Sequence, residues 1–103
     1  MKITDTNVLL LVSAGFDLTQ ATGLELKIQR PGDGVFVADP THVQVGTKAR
    51  YFTLATLEPG QYVEYTLQPG DVTTVGPYVC QLTYYGPNPG PFIAHSTFIV
   101  DSA

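Results

Sequence analysis

At 103 residues, with 44% hydrophobic and only 14% charged residues, the chain has the size and apolar content of one packed domain, which excludes a disordered tail. A net charge of −4, with five cations scattered singly at Lys2, Lys27, Arg30, Lys48 and Arg50, leaves no basic stripe for phosphates and excludes nucleic acid as a partner. The longest apolar run, residues 8–12, is far short of the roughly 20 residues of a membrane span, and the single cysteine, Cys80, excludes an internal disulfide.

Residues 7–12 (NVLLLV) are too short for a helix and end at Ser13, Ala14 and Gly15, so they read as a first strand entering a turn. In residues 23–30 (GLELKIQR), Leu24, Leu26 and Ile28 alternate with Glu25, Lys27 and Gln29, the period of a strand with one dry and one wet face. Residues 31–34 (PGDG) supply a tight turn, and Val35, Phe36 and Val37 resume the extended chain as a hairpin partner. Between Ala38 and Thr56 the stretches 42–46 and 51–54 are β-prone, without boundaries that the pattern fixes. After a turn at Glu58, Pro59 and Gly60, residues 62–67 (YVEYTL) place Val63, Tyr65 and Leu67 on one face and Tyr62, Glu64 and Thr66 on the other. Residues 78–85 align Tyr78, Cys80, Leu82 and Tyr84, and the stiff segment 86–91 (GPNPGP) leads into a last strand, residues 92–100. The only hint of helix is residues 18–22. About seven to eight short strands separated by Gly and Pro turns predict a single all-β domain, a sandwich or small barrel, spanning residues 1–103.

Catalytic chemistry finds no foothold in this pattern. His42 and His95 lie far apart, with Asp39 the only nearby co-ligand, so each reads as an ordinary histidine rather than part of a metal site. No Gly-x-Ser-x-Gly or other activated nucleophile is present, and the glycines form neither a phosphate loop nor a dinucleotide fingerprint. The aspartates fall mostly in turns, where they cap backbone amides. Cys80, on the same strand face as Tyr78 and Leu82, reads as a small core hydrophobe. The expectation is a protein that is not an enzyme and carries no cofactor or metal.

Gly76, Tyr78 and Cys80 follow the order Gly-x-Tyr-x-Cys at a strand entrance, the local pattern of the tyrosine corner of immunoglobulin-like sandwiches. With FDLTQAT at 16–22, the alternating strand into PGDG at 24–34, YTLQPGD at 65–71 and a closing FIV at 98–100, the chain resembles the small immunoglobulin-like β-sandwich domains of tailed-phage virion proteins, such as the N-terminal domain of phage baseplate upper proteins. Residues 38–56 lie outside this resemblance, and PGDG stands where the family has a plainer Pro-Asp-Gly turn.

The resemblance implies a non-enzymatic virion structural subunit without a disulfide. It would decorate the capsid or act as an adaptor at the neck, tail or baseplate, in multiple symmetric copies against other virion proteins. It also implies assembly in the host cytoplasm, in keeping with an opening (MKITDTN) that lacks the apolar core of a secretion signal, and a subunit acting separately from any stalk. The expected interface is Tyr84, Tyr85, Pro87, Asn88, Pro89 and Pro91, because tyrosine gives large contact area at low entropic cost and proline pre-orders the backbone. The bland reading of the same residues is that the tyrosines cover the sandwich and the prolines cap an edge. A second expected surface is the opening or closing strand, pairing edge to edge with a neighbour. The alternative function is a glycan- or receptor-binding module using Tyr62, Tyr84 and Tyr85 as surface aromatics.

Overall fold

The computed structural model describes residues 1–5, 7–87 and 92–103. Among them are nine strands: β1 (Leu9–Ser13), β2 (Gly23–Arg30), β3 (Asp33–Val37), β4 (Val43–Val45), β5 (Arg50–Tyr51), β6 (Thr56–Leu57), β7 (Tyr62–Thr66), β8 (Gly76–Tyr85) and β9 (Phe92–Val100). The chain is all-β and antiparallel, with one 3-10 turn at Pro40–His42 and the thiol of Cys80 free. The strands form a three-stranded sheet in the order β1-β7-β4, a four-stranded sheet in the order β3-β2-β8-β9, and a separate hairpin β5-β6.

Strand periodicity builds one core between the two larger sheets. Pairing of Leu26 with Leu82 and Ile28 with Cys80 turns those side chains to one face, while Leu10 with Tyr65 and Val12 with Val63 supply the opposing face. Together with Leu18, Tyr78, Tyr84 and Val100 they make a single buried cluster. Burying a side chain of this kind contributes about 1.5–3 kcal/mol, and the core stands without a covalent staple. The core faces read from 24–29 and 78–84 are those observed, except that Thr83 on the opposite face of its strand is buried as well.

Four local expectations are corrected. The first strand starts at Leu9 rather than residue 7, because Asn7 takes a left-handed φ of 57° that breaks the extended chain. His42 lies in the 3-10 turn rather than a strand, since the Asp39 carboxylate accepts from the Thr41 N–H at 3.0 Å and from its hydroxyl at 2.9 Å. Residues 18–22 are loop, initiated by an equivalent Asp17 turn onto Thr19. The strand count exceeds seven to eight because 50–57 folds into two strands of two residues each.

The opening residues also join the larger sheet. Met1 donates its amino group to the Ile99 carbonyl, Asp101 N–H donates to Met1, and Ile3 N–H donates to Asp101, a short parallel contact at the end of β9.

Candidate protein-interaction site

The predicted interface divides on burial. Tyr84 is only 7% exposed and packs edge-on against Phe16, with Phe92 completing an aromatic trio. Gly86 crosses so close to its hydroxyl that an added Cβ would lie 2.3 Å away. Tyr84 therefore anchors the base of the following loop, and only Tyr85 and Pro87 of the described positions face solvent. Asn88, Pro89 and Pro91 lie outside the described residues.

Gly76 and Tyr78 are held as a unit. Gly76 adopts φ +131° against Pro31, where an added Cβ would sit 3.1 Å from the proline ring. The buried Tyr78 hydroxyl donates to the Thr74 carbonyl at 2.8 Å and accepts from the Thr74 and Thr73 N–H groups at 3.1 and 3.2 Å. Burial raises the pKa of Tyr78, but hydrogen bonds from Thr74 and Thr73 and the Arg30 charge outweigh it and lower the net value. The ring stacks on Phe98 at 4.9 Å. Next to it, the buried Tyr65 donates to the Asp71 carboxylate, which also accepts the Gln68 N–H at 2.8 Å. Arg30 closes the same turn by donating to the carbonyls of Asp71 and Gly70 at 3.0 and 3.1 Å. These residues form a structural clamp.

Tyr62, expected on the wet face of its strand, is fully buried. Residues 46–50 fold over it, and Gly46 lies so close that an added Cβ would be 2.0 Å from the ring. This corrects the surface-aromatic set of Tyr62, Tyr84 and Tyr85: only Tyr85 is exposed. The Tyr62 hydroxyl donates to the Lys48 carbonyl at 2.8 Å and accepts from Arg50 Nε at 3.2 Å, while Arg50 Nη2 reaches Glu64 Oε1 at 2.7 Å. The Glu64 and Tyr62 contacts hold Arg50 firmly protonated.

This network is the foot of the β5-β6 hairpin, which the sequence pattern did not single out. Arg50 pairs with Leu57 and Tyr51 with Thr56, and the Phe52 N–H closes the tip onto Ala55 at 2.8 Å. Every residue from 51 to 56 is exposed, with Leu54 at 96%, Tyr51 at 79% and Phe52 at 55%. Two aromatics and a leucine thus stand in water on a support that buried groups hold in place, the arrangement of a contact anchor. The signal available in sequence was the crowding of Tyr51, Phe52 and Leu54 without alternation, which a buried strand shares.

A groove of about 760 Å³ opens beside the foot of the hairpin, lined by Leu24, Val43, Val45, Pro40, Pro59 and their neighbours, none of them ionisable. It offers shape and apolar contact. Among the described residues no cluster of three or more His, Cys, Asp or Glu side chains is placed to hold a metal, and no helix is long and apolar enough to cross a membrane. Comparison with protein-family models, curated proteins and solved structures returns no match.

Proposed function

We propose that the chain is an immunoglobulin-like sandwich serving as a non-enzymatic structural subunit of a tailed-phage virion, on the capsid or as an adaptor at the neck, tail or baseplate. The order β1-β7-β4 against β3-β2-β8-β9 corresponds to strands B, E and D against C′, C, F and G of such a sandwich. Tyr78 stands two residues before Cys80 on the strand that corresponds to F, and its hydroxyl turns back to the backbone four and five residues upstream. Both features support the fold reading that the sequence resemblance suggested.

The observation that carries the function is the hairpin of residues 50–57. An isolated domain gains nothing from holding Leu54, Tyr51 and Phe52 in water, whereas a subunit seated in a larger assembly buries them in a partner's pocket. The contact is with protein, because residues 51–56 carry no charge and their large exposed side chains are Leu54, Tyr51 and Phe52. The glycan reading has no comparable support, since two of its three tyrosines are inside the domain.

The test is the copy number of this chain, measured by mass spectrometry in purified particles from its source and normalised to the major capsid protein. A number approaching that of the capsid protein means decoration, and a small symmetric number means an adaptor. Absence from the particle overturns the reading.

A further inference from the structure

The closing strand β9 presents an open edge in the middle of its length. The carbonyl of Ile99 and both backbone groups of Asp101 point away from β8, because they bond to Met1 and Ile3. Backbone groups alternate in direction along a strand, so Ile93, His95 and Thr97 also aim their N–H and C=O groups outward. None of those groups has a partner among the described residues. Residues 1–3 close the edge beyond them.

We propose that this edge pairs with the same edge of a second copy, antiparallel about a two-fold axis at His95. In that register Ile93 meets the partner's Thr97, His95 meets the partner's His95, and the six outward groups of Ile93, His95 and Thr97 in each copy are bonded, with the outward N–H of Ile99 lying beyond them beside Met1. The two sheets become one of eight strands, β3-β2-β8-β9 continued by β9-β8-β2-β3. Three observations favour a second copy. Among the described residues, the β9 positions with both backbone groups free are Ile93, His95 and Thr97, centred on His95 with residues 1–3 beyond them, so a second copy can match them residue for residue. The Ile93 and Thr97 contacts are β-branched pairs, which favour strand pairing. Strand β9 (FIAHSTFIV) also contains no Lys, Arg, Asp or Glu, the residues that natural edges use against such association. A contact along about 17 Å of edge is small beside the ~1,200 Å² of a stable interface. The dimer is therefore concentration-dependent, and it strengthens where other contacts hold copies side by side. This inference is independent of the virion reading.

The test uses the full chain. Sedimentation velocity at rising concentration is expected to show reversible dimerisation. His95→Cys under mild oxidation is expected to give a covalent dimer, because paired residues on bonded positions have Cα atoms about 5.5 Å apart, within disulfide reach. Ile93→Cys is expected to remain monomeric, since the two copies of residue 93 would lie about 14 Å apart; the buried Cys80 does not compete. Thr97→Pro removes an N–H that the monomer leaves unbonded, so it is expected to abolish the reversible dimer with little change in unfolding temperature. A strictly monomeric chain, filaments, equal cross-linking at 93 and 95, or a dimer that persists in a folded Thr97→Pro variant would each overturn the proposal. Should Thr97→Pro fail to fold, the cysteine pair decides.

Discussion

Two loops of this domain are tied down by the same device and end in opposite ways. In residues 65–78 the hydroxyls of Tyr65 and Tyr78 hold a turn against the sheets, and Val72 packs inward onto the core. In residues 46–62 the hydroxyl of Tyr62 and the Arg50 and Glu64 pair hold the foot of a hairpin, whose apolar residues then point outward. A buried polar anchor costs desolvation and recovers it in hydrogen bonds, so in the first loop it serves stability alone. In the second, on the proposed function, it serves to present the apolar tip. The difference separates a tyrosine whose loop folds back onto the core from one whose loop holds apolar side chains in water.

The largest loss of stability is expected at Tyr62. Tyr62→Ala empties a fully buried aromatic site and is expected to cost about 3–5 kcal/mol, read as a lowered denaturant midpoint. Proteolysis within residues 47–57 is expected to accelerate more than elsewhere, because the hairpin loses its foot. A loss of stability with no local increase in cleavage would mean that the hairpin does not depend on this anchor.

Tyr65→Phe comes next, at about 1.5–3 kcal/mol for a hydrogen bond to a charged group, and it has a pH signature. Burial first, and then the bond to Asp71, raises the pKa of Tyr65 above the ordinary value of about 10. The neutral form is thus favoured in the folded state. Its contribution is complete below pH ~10 and is lost as pH rises through the folded value. The gap in stability between wild type and Tyr65→Phe is therefore expected to narrow on alkaline titration, measured by urea unfolding at several pH values. Cys80, pushed up to about 11 by burial, leaves an alkaline slope of the same sign in both proteins.

Tyr78→Phe is expected to cost less, about 1 kcal/mol. The stack on Phe98 survives and the exposed Thr73 N–H turns to water. Thermal unfolding checks the order Tyr62, Tyr65, Tyr78, and a reversal would mean that the hydroxyl of Tyr78 does more than close its own turn.

The two loops also differ in how far their sequences could be read. Alternation in residues 24–29 and 78–84 predicted which side chains enter the core, because one face of each strand is dry and the other wet. It failed at Tyr62, where both faces of the strand are covered: the core takes Val63, and a segment 12 to 16 residues upstream folds over Tyr62. Tyr84 falls on the core face by alternation and also in the expected interface; it is buried, because Phe16 and Phe92, from elsewhere in the chain, cover it. The hairpin tip was invisible because Tyr51, Phe52 and Leu54 are as apolar as a buried strand. Exposure is a property of tertiary contacts that short-range pattern does not contain.

Folding is least sensitive at Leu54, the most exposed of the hairpin's large apolar side chains. Its side chain is 96% exposed, so Leu54→Ser removes almost no buried surface, and the unfolding free energy is expected to move by less than about 0.5 kcal/mol. A contact anchor behaves differently in the assembled state, where truncation of a seated apolar side chain costs about 2 kcal/mol or more. Leu54→Ser is therefore expected to fold like wild type and yet compete poorly with it for incorporation when both are supplied to assembling particles. Tyr85→Ser, on the opposite candidate surface, serves as the comparison. If Leu54→Ser is incorporated as well as wild type and Tyr85→Ser is not, the docking surface is the loop after β8, and the anchored hairpin needs another explanation.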